Sequence, residues 1–549
     1  MRLSDLLDGI PLAFTRAGWS EPDVTAVTAD SREVMPGTIF VAVRGGTVDG
    51  HRFVEQALER GASAVVVEAG SLAAALKPVA PLLVVPDTRE ALAWLAAALH
   101  GYPARKLVMI GVTGTDGKTT TSTLIHSILT ADGLRAGLIS TVGAVIGDDT
   151  LDTGLHVTTP DAPALQGYLA RMVAAGFTHC VLETTSHGWA QRRTDACEFD
   201  VGVITNITHE HLDYHGSYEA YRAAKARLLT GLPLAARKPG IEKCAVLNAD
   251  DESYAYLTGV AETRRLSYSQ RLVTGADFTA VRPDFSADGM AFDVRTPAGE
   301  IADVRTPLVG RFMIANILAA LAATVGALGV TPAAARSGIA ALQGVPGRLE
   351  RIDLGQAFTA IVDFAHTPNA LRRVLETCRE LLADDHPAPE TAVRDQRSPV
   401  GRRLIAVFGS AGLRDVEKRR MMAEVSAELA DISVLTAEDP RTESLTDILE
   451  MMAFGARLRG AVEGAGEGHS FFRVPDRGEA LRLAVRLARP GDIVIACGKG
   501  HEQSMCFGTV EYPWDDRVGL RAALAELLGL PGPAMPLLPT RQGAGSTPL

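Results

Sequence analysis

Residues 111–120 read Gly-Val-Thr-Gly-Thr-Asp-Gly-Lys-Thr-Thr, the most informative stretch of the chain for its architecture. The apolar run 107–110 precedes it, and apolar residues that follow, such as Leu124, Ile125 and Ile128, fall on one face of a helix. The pattern therefore predicts a strand, a glycine-rich loop and a helix. In that arrangement the backbone N–H groups of the loop and the N-terminus of the helix bind a phosphate group.

The loop indicates a nucleoside triphosphate, and ATP is its natural occupant. Lys118 would reach the terminal phosphates and Thr119 would bind magnesium. The spacing departs from the usual G-x-x-x-x-G-K-[ST] pattern, because Val112 stands at the leading position and Gly111 falls one residue early. The other interpretation is a glycine-rich turn with an incidental lysine, which the flanking strand and helix disfavour. The predicted ATP contacts of the loop are Gly114, Thr115, Asp116, Gly117, Lys118, Thr119 and Thr120.

The rest of the chain alternates strand-like and helical segments, which predicts an α/β fold with mainly parallel sheets. At 549 residues the chain exceeds the size of one hydrophobic core. Breakers at 101–103 and 344–347 separate three predicted domains, a polar surface loop is expected at 384–402, and a disordered tail at 531–549. The predicted domains are residues 1–98, 99–345 and 346–530. The predicted strands include 38–43, 62–68, 107–112, 178–183, 201–205, 244–248, 359–363, 404–409, 432–436 and 492–497.

Composition and charge exclude several classes of protein. The net charge of −11 argues against a general nucleic-acid binder, because binding to the phosphate backbone needs clustered Lys and Arg. Six cysteines without a C-x-x-C pair fit a reducing cytoplasm. The amino terminus does not resemble a signal peptide, and the apolar stretch 317–330 is too short to span a membrane and predicts a buried helix. We expect a cytoplasmic protein with small-molecule partners, no nucleic acid and no membrane.

A carboxylate and several histidines follow two further predicted strands of the central domain. Glu183 ends the strand 178–183, and the run 205–215 follows the strand 201–205. Ligands of an open α/β sheet bind beyond the carboxyl ends of its strands, so Glu183 and His211 could meet the phosphate loop. A magnesium ion between the ATP phosphates and Glu183 would follow from this arrangement.

Two other interpretations of the histidines stay open. His209, His211 and His215 could bind zinc together with Glu210, although neither an HExxH sequence nor a set of cysteine ligands is present. They could also be loop histidines that hydrogen-bond to one another or to water. Lys225, on a predicted helix, would by default be a solvated surface charge.

Taken in order, the motifs of the chain resemble those of the Mur ligase superfamily. The similarity runs from about residue 30 to about residue 517 and so covers nearly the whole chain. The matching motifs read DSR (30–32), PG (36–37), DGH (49–51), GVTGTDGKTTT (111–121), TTP (158–160), ETTSH (183–187), HLDYHG (211–216), VPGR (345–348), DFAHTP (363–368), DPR (439–441) and GKGHE (498–502).

The resemblance implies a role for each domain. The small N-terminal α/β domain would bind UDP, the central domain would be a P-loop ATPase, and the C-terminal domain would be Rossmann-like and bind the incoming amino acid. The resemblance places Ser31 and Arg32 at the uridine site. It also implies that the muramoyl-peptide part of the nucleotide substrate contacts Thr158, Thr159, Thr185, Gln191 and Arg193.

The resemblance further implies catalytic roles that the residue pattern by itself does not indicate. Lys225 would be carbamylated, and the resulting anion would hold a second magnesium ion together with His211. The implied catalytic residues are Lys118, Glu183, His211 and Lys225. The implied metal ligands are Thr119, Glu183, His211 and carbamylated Lys225. Further ATP contacts would be Asn316, Arg348, Asp363 and His366.

The resemblance implies an ATP-dependent ligase of peptidoglycan biosynthesis that adds the third residue of the peptide stem to a UDP-muramoyl dipeptide. Carboxylate is a poor electrophile, so ATP would first convert the glutamate carboxylate to an acyl phosphate, which an amine would then attack. The implied amino-acid contacts are Arg414, Glu438, Asp439, Arg441, Gly498 and Glu502.

The chain departs from the family at the amino-acid site. Family members that use meso-diaminopimelate usually read Asp-Asn-Pro-Arg where this chain reads Glu438-Asp439-Pro440-Arg441. Arg441 favours diaminopimelate, because a guanidinium group suits the remote carboxylate that lysine and ornithine lack. Asp439 would also suit a terminal ammonium group, which keeps lysine and ornithine open.

Two other functions fit the phosphate loop. A sister amide ligase, such as one that makes folylpolyglutamate or adds a D-alanyl dipeptide, would share the chemistry of ATP, but the DSR and DGH motifs favour a UDP-linked substrate. A catalytically silent homologue would bind nucleotide without substrate-dependent release of phosphate. We expect the protein to act as a monomer.

Overall fold

A computed structural model of the chain confirms the α/β fold, with three large sheets that are mostly parallel. The chain forms two compact units. The first consists of Met1–Val281, Val294–Ile301 and Ala315–Ile339, and the second of Arg282–Asp293, Ala302–Ile314 and the chain from Ala340 onward. The structure describes residues 1–17, 21–45, 48–71, 80–147, 149–151, 158–208, 212–271, 275–286, 289–384, 401–413, 415–464 and 468–540.

The N-terminal domain is built on a five-stranded sheet. Its elements are α1 (Leu3–Leu7), β1 (Thr15–Ala17), β2 (Ala26–Thr28), β3 (Thr38–Val41), α2 (Val54–Glu59), β4 (Ala64–Glu68), β5 (Leu82–Val85) and α3 (Thr88–Leu99). The strand order is β1-β5-β4-β3-β2, and only β1 runs antiparallel to its neighbour. The continuous apolar runs of β3 and β4 are buried, as expected for parallel strands covered on both faces.

The central domain carries an eleven-stranded sheet. Its order is β16-β15-β14-β13-β12-β11-β6-β10-β7-β8-β9, and β6 pairs in parallel with β10 and β11. The carboxyl ends of these three strands therefore lie side by side. The elements are β6 (Val108–Thr113), α4 (Lys118–Ala131), β7 (Ala136–Ser140), β8 (Gly143–Ile146), β9 (Asp149–Leu151), α5 (Ala162–Ala174), β10 (His179–Glu183), α6 (Ser186–Ala190), β11 (Val201–Ile204), α7 (Leu212–His215), α8 (Tyr218–Gly231), β12 (Cys244–Asn248), α9 (Tyr254–Val260), β13 (Arg264–Ser269), β14 (Phe278–Ser286), β15 (Gly289–Thr296), β16 (Gly299–Thr306), α10 (Phe312–Leu321) and α11 (Pro332–Ala341).

The apolar stretch 317–330 forms the buried helix that its composition predicts. It comprises the end of α10 and a π-helical segment, Ala322–Ala327, and residues such as Ile317 and Leu321 are fully buried. None of the helices in the described part of the chain is long and apolar enough to cross a membrane.

The C-terminal domain has a seven-stranded sheet of order β17-β18-β23-β19-β20-β22-β21, in which only β17 runs antiparallel to its neighbour. Its elements are β17 (Glu350–Arg351), β18 (Thr359–Asp363), α12 (Pro368–Asp384), β19 (Leu404–Phe408), α13 (Val416–Leu429), β20 (Ile432–Leu435), α14 (Leu445–Leu458), β21 (Val462–Glu463), β22 (Ser470–Arg473), α15 (Arg477–Leu487), β23 (Ile493–Cys497), the hairpin β24 (Ser504–Phe507) and β25 (Val510–Pro513), and α16 (Asp516–Leu528).

The expected disordered tail is wrong for residues 531–540. This segment forms neither helix nor strand, but Met535 and Leu538 are buried in the core beside Leu481 and Leu524. Its apolar side chains bury surface that a disordered chain would leave in water. Residues 541–549 lie outside the described residues, as do residues 385–400 of the expected surface loop.

A fully buried ion pair stabilises the C-terminal domain next to its strand ends. Arg477 and Asp516 are both 0% exposed, with Nε to Oδ1 at 2.7 Å and Nη2 to Oδ2 at 2.6 Å. Arg477 also donates to the carbonyl groups of Ala437 (3.1 Å) and Cys497 (2.7 Å). Ala437 lies two residues after the end of β20, and Cys497 is the last residue of β23. The pair therefore anchors two of the strand ends at which the amino-acid residues are predicted.

Replacing Arg477 by methionine should lower the free energy of unfolding of this domain by about 3–5 kcal/mol, because Asp516 would be left buried without its counterion. Urea denaturation of the full chain, followed by circular dichroism, measures the change as a shift of the transition. Arg457→Met is the control, since its ion pairs with Glu450 and Glu463 lie at the surface and should contribute about 0–1 kcal/mol. Equal shifts in the two variants would contradict this role of the buried pair.

Candidate nucleotide and substrate site

The phosphate loop joins the carboxyl end of β6 to the start of α4. Gly114 has a φ of +155° and Gly117 a φ of +79°, conformations that favour glycine. A Cβ atom at Gly114 would lie 1.8 Å from Thr205 Oγ1, and one at Gly117 would lie 2.3 Å from Asn316 Oδ1. The backbone conformation therefore favours glycine at both positions, a side chain at Gly114 would collide with Thr205, and Asn316 lies against Gly117.

Residues that follow β11 brace the loop. Thr205 Oγ1 donates to the carbonyl group of Asp116 (2.6 Å), and Asn206 Oδ1 accepts from the Asp116 N–H (2.9 Å). Lys118 Nζ donates to the carbonyl group of Thr115 (2.8 Å), which holds the ammonium group against the loop. Hydrogen bonds from Thr205 and Asn206 therefore support the loop, and the Lys118 ammonium group lies against its backbone.

A buried carboxylate lies beside the loop. Glu183, the last residue of β10, is 1% exposed and accepts hydrogen bonds from Thr119 Oγ1 (3.1 Å), Thr141 Oγ1 (2.9 Å) and Thr141 N (3.1 Å). A carboxylate and a hydroxyl are hard oxygen donors, so Glu183 and Thr119 fit a magnesium ion. Thr141 follows β7, and its hydroxyl oxygen lies 3.2 Å from that of Thr158. The sequence analysis missed Thr141, because only the order of the strands brings β7 next to β10.

Lys225 is buried, so its default interpretation as a solvated surface charge is wrong. The side chain lies on α8 and is 2% exposed, and Nζ donates to the carbonyl group of Gly114 at 2.6 Å. Nζ also lies 4.7 Å from the centroid of the Tyr221 ring. The structure therefore brings Lys225 to the first glycine of the phosphate loop.

The five residues predicted to hold the muramoyl peptide are gathered on neighbouring segments. Arg193 donates through Nη1 to the carbonyl group of Thr159 (2.6 Å) and through Nη2 to Gln191 Oε1 (2.7 Å). Thr159 Oγ1 accepts from the Thr185 N–H (3.1 Å), and Thr158 lies next to it in the chain. The group therefore connects to Glu183 through the contact between Thr158 and Thr141.

Ser31 and Arg32, the predicted uridine contacts, follow β2 in the N-terminal domain. Ser31 Oγ donates to Gln56 Oε1 (3.1 Å). Arg32 binds both oxygens of Asp30, with Nε to Oδ1 at 2.9 Å and Nη2 to Oδ2 at 2.6 Å, and its hydrogen bonds lower the pKa of Asp30 to about 2. The Arg32 side chain is 85% exposed, so it is accessible to a ligand.

In the second unit, Asp363 ends β18 and holds two of the predicted nucleotide segments together. Its carboxylate accepts from the N–H groups of Leu349 (2.7 Å) and Ala365 (2.8 Å). The Arg348 guanidinium lies 4.5 Å from the centroid of the Phe364 ring. His366 lies close by with Nδ1 3.0 Å from the carbonyl oxygen of Phe364, and burial lowers its pKa to about 3, so its ring is neutral at physiological pH.

A buried lysine organises the predicted amino-acid residues. Lys499 is 1% exposed, and its Nζ lies 3.0 Å from Asp439 Oδ1 and 2.5 Å from Glu502 Oε2. Burial alone would lower the pKa of Lys499, but the carboxylates of Glu502 and Asp439 together raise it above its usual value. Lys499 is therefore a cation between two predicted amino-acid contacts, a role that the sequence analysis did not assign.

Glu438 is buried directly opposite Gly498. A Cβ atom at Gly498 would lie 2.8 Å from Glu438 Oε2, and the φ of +114° at this position also favours glycine. Burial raises the pKa of Glu438 above its usual value. The two residues follow β20 and β23, and so the predicted contacts of both segments meet at the carboxyl edge of the sheet.

Arg441 combines an unusual backbone conformation with a buried Nε atom that lacks a hydrogen-bond partner among the described residues. Asp439 and Arg441 have φ values of +39° and +54°, on either side of Pro440, which is a strained conformation for residues other than glycine. The Arg441 N–H donates to the carbonyl group of Cys506 (3.1 Å), which ties the segment to the hairpin β24–β25. The buried Nε of Arg441 has no hydrogen-bond partner among the described residues. Arg441 therefore retains hydrogen-bonding capacity for a ligand.

Two predicted site residues, His211 and Arg414, lie outside the described residues, as do His209 and Glu210. His215 packs among rings, with its centroid 4.9 Å from that of Tyr214. Elsewhere in the described ranges, no three His, Cys, Asp or Glu side chains are grouped so that they could hold a metal ion.

The chain belongs to the Mur ligase family. Three family models match it: the Mur ligase family catalytic domain over residues 23–100, the Mur ligase middle domain over 112–324, and the Mur ligase glutamate ligase domain over 347–500. These matches confirm the resemblance and the three-domain organisation, while the boundaries at 98 and 345 stay predictions.

Its relatives share a narrower description. The chain is 42% identical to a UDP-N-acetylmuramyl-tripeptide synthetase of Roseiflexus sp. (strain RS-1), over 92% of this chain and 95% of the relative. It is 39% identical to the UDP-N-acetylmuramoyl-L-alanyl-D-glutamate–2,6-diaminopimelate ligase of Geobacillus thermodenitrificans (strain NG80-2), over 96% and 100%. A solved structure of a UDP-N-acetylmuramoyl-L-alanyl-D-glutamate–2,6-diaminopimelate ligase is 32% identical, with a TM-score of 0.60 over 92% and 95% of the chains.

Proposed function

We propose that this protein is the ATP-dependent ligase that adds a diamino acid to UDP-N-acetylmuramoyl-L-alanyl-D-glutamate and forms the UDP-muramoyl-tripeptide, ADP and phosphate. One observation carries the proposal: polar contacts run without a break from Thr119 of the phosphate loop through Glu183 and Thr141 to Thr158. This continuity supports a single site for the nucleotide and the UDP-linked substrate. The descriptions of the relatives support this reaction.

The charges at this site suit a reaction in two steps. The substrate carboxylate attacks the γ-phosphorus of ATP and displaces ADP, and the amine then attacks the acyl phosphate and displaces phosphate. Lys118 neutralises charge that develops on the transferred group, and catalysis is mainly positioning and electrostatic stabilisation. Magnesium held by Glu183 and Thr119 would add positive charge at the phosphates.

The proposal assigns Lys225 a role in binding a second metal ion. Carbamylation would turn the ammonium group into an anion, and with His211 it would hold a second magnesium ion. The contact between Nζ and the Gly114 carbonyl group is compatible with this change, because a carbamate nitrogen keeps one N–H.

The remaining nucleotide contacts are proposed for both units. In the first unit, Asn316 would bind adenine, and its position against Gly117 supports this role. In the second unit, Arg348, Asp363 and His366 would contact the nucleotide, and their common anchoring around Asp363 and Phe364 supports treating them as one group.

The contacts of the amino-acid site favour meso-diaminopimelate. Both carboxylate oxygens of Asp439 already accept from Lys499, at 3.0 and 3.1 Å, so the acid that could have selected a terminal ammonium group has its own counterion. Arg441 keeps an unpaired Nε and can bind a second carboxylate. Diaminopimelate has that carboxylate, whereas lysine and ornithine do not.

Replacing Arg441 by alanine should lower kcat/KM for meso-diaminopimelate by about 30- to 100-fold, the effect of losing a charge-assisted pair, and should leave the use of L-lysine within about threefold. Release of phosphate is measured with each amine in turn. Arg486→Ala is the control, because Arg486 is an exposed arginine of the same domain. A wild-type protein that prefers lysine or ornithine at equal concentration would contradict the choice of diaminopimelate.

The proposed reaction is tested with purified protein, ATP and the UDP-dipeptide, with meso-diaminopimelate, L-lysine and L-ornithine offered separately. Phosphate and the tripeptide should form in equal amounts and only when all three substrates are present. Phosphate release with a folate or with a D-alanyl dipeptide in place of these substrates would indicate a sister ligase. Nucleotide binding without turnover would indicate a silent homologue.

A further inference from the structure

An unusual arginine joins the N-terminal domain to the turn that carries two predicted substrate contacts. Arg192 follows α6 and has a φ of +57°, a left-handed conformation that usually favours glycine at the end of a helix. Its neighbours in the chain are Gln191 and Arg193. An arginine at this position gains no backbone advantage, so its side chain must account for its presence.

The Arg192 side chain reaches three carboxylates. Nε lies 2.6 Å from Asp87 Oδ2, and Nη1 lies 3.1 Å from Glu90 Oε2 and 2.8 Å from Asp195 Oδ2. The Arg192 side chain is 29% exposed, so solvent screens these ion pairs less than it screens fully exposed pairs. Asp87 and Glu90 belong to the N-terminal domain, where Asp87 caps α3 by accepting from the Glu90 N–H at 3.2 Å.

The contacts continue into the helix that bears Lys225. Asp195 also accepts from Arg227 Nη2 at 2.9 Å, and Arg227 Nη1 donates to the carbonyl group of Trp189 at 2.7 Å. Arg227 lies on α8, two residues after Lys225. The chain of ion pairs therefore connects α3 of the N-terminal domain, the turn at Arg192 and α8 of the central domain.

We propose that Arg192 is a positioning residue that fixes the Gln191–Arg193 turn relative to the N-terminal domain, so that the two domains hold the two ends of one UDP-linked substrate at a set separation. The inference rests on the proposed function, which places uridine at Ser31 and Arg32 and the peptide at Thr159 and Arg193. Because Arg193 is the next residue, rotation of the backbone at Arg192 would redirect the guanidinium group that donates to Thr159.

Arg192→Gly removes the side chain without backbone strain, and Arg192→Asn, which also tolerates the left-handed conformation, controls for the backbone freedom that glycine adds. The KM for the UDP-dipeptide should rise about tenfold, while the KM for ATP stays within about twofold, since the phosphate loop has other supports. Arg192→Lys keeps the charge and loses the planar guanidinium group, so its KM for the UDP-dipeptide should lie between those of the wild type and Arg192→Gly. Equal increases in both KM values, or no increase in either, would refute the inference.

A double variant identifies the partner. If Arg192 acts partly through Glu90, the effects of Arg192→Gly and Glu90→Gln on the KM for the UDP-dipeptide should combine to less than their product. If the two effects on the KM multiply fully, Arg192 does not act through Glu90. Arg264→Gln is the matched control, because its ion pair with Glu242 lies at the surface of the same unit, and it should leave both KM values unchanged.

A distance measurement separates this inference from the proposed reaction. All six native cysteines are buried, so spin labels can be attached at Asp5→Cys in the N-terminal domain and Leu234→Cys in the central domain, both exposed positions. Arg192→Gly should broaden the distance distribution between the labels. An unchanged distribution would refute the positioning role even in an active ligase, whereas an inactive wild-type protein with a broadened variant would refute only the proposed reaction.

Discussion

Lys118→Ala should lower the rate of phosphate release by on the order of 10³-fold or more, because the variant loses the ammonium group that the proposed reaction places at the transferred phosphoryl group. Lys118 is held against the phosphate loop through the carbonyl group of Thr115, and the loop is braced independently by Thr205 and Asn206. The loop should therefore keep its shape in the variant. Phosphate release is measured with saturating ATP, UDP-dipeptide and diamine.

Lys106→Ala is the control for this experiment, since Lys106 is an exposed lysine of the same domain. The control should release phosphate at the wild-type rate. Binding of ADP by Lys118→Ala, measured by calorimetry, shows whether the loop is still formed. A variant that folds and retains more than about a tenth of the wild-type rate would contradict the role of Lys118 in phosphoryl transfer.

Lys225→Ala should lose more than about 100-fold in activity, because the proposed carbamate is a ligand of the second magnesium ion. Short carboxylic acids such as formate or acetate should restore part of the activity. Truncation of this buried side chain leaves a space beside the Gly114 carbonyl group, and a small carboxylate placed there can supply the missing negative charge. The measurement is phosphate release as a function of the concentration of added acid.

Two variants make the interpretation specific. Lys225→Arg keeps a positive charge but cannot form the carbamate, so it should be as inactive as Lys225→Ala. Lys118→Ala with the same acids should not recover, since a cation is missing there. Full activity of Lys225→Arg would mean that the positive charge, and not a carbamate, is what the site requires.

The strand, loop and helix at residues 111–120 could be predicted because the signal is local. The apolar periodicity changes between β6 and α4, and the two glycines lie where the backbone must turn. Glu183 could be placed at the same edge of the sheet from its position at the end of β10. Thr141 could not, because its contact with Glu183 depends on the order of β7 and β10, which the pattern of apolar residues does not encode.

The charge pairs of the amino-acid site also depend on contacts between segments that are distant in the sequence. Asp439 and Lys499 are 60 residues apart, and the sequence offers no reason to pair them. Once the ends of β20 and β23 meet, Lys499 neutralises Asp439, and the substitution that had kept lysine and ornithine open loses its weight as a signal for an ammonium group. The prediction of disorder for residues 531–540 is wrong for a different reason. It relies on the content of Pro and Gly and gives too little weight to Met535 and Leu538, which are buried in the core.

The two left-handed residues that flank Pro440 also bear on selectivity. A backbone held in a sparsely populated conformation by Lys499, Cys506 and the adjacent hairpin has little freedom to relax when its ligand departs. The segment around Arg441 would then keep its conformation between successive turnovers. Discrimination among diamines would accordingly be set when the polypeptide folds, and each diamine would bind to a site that is already in its final conformation.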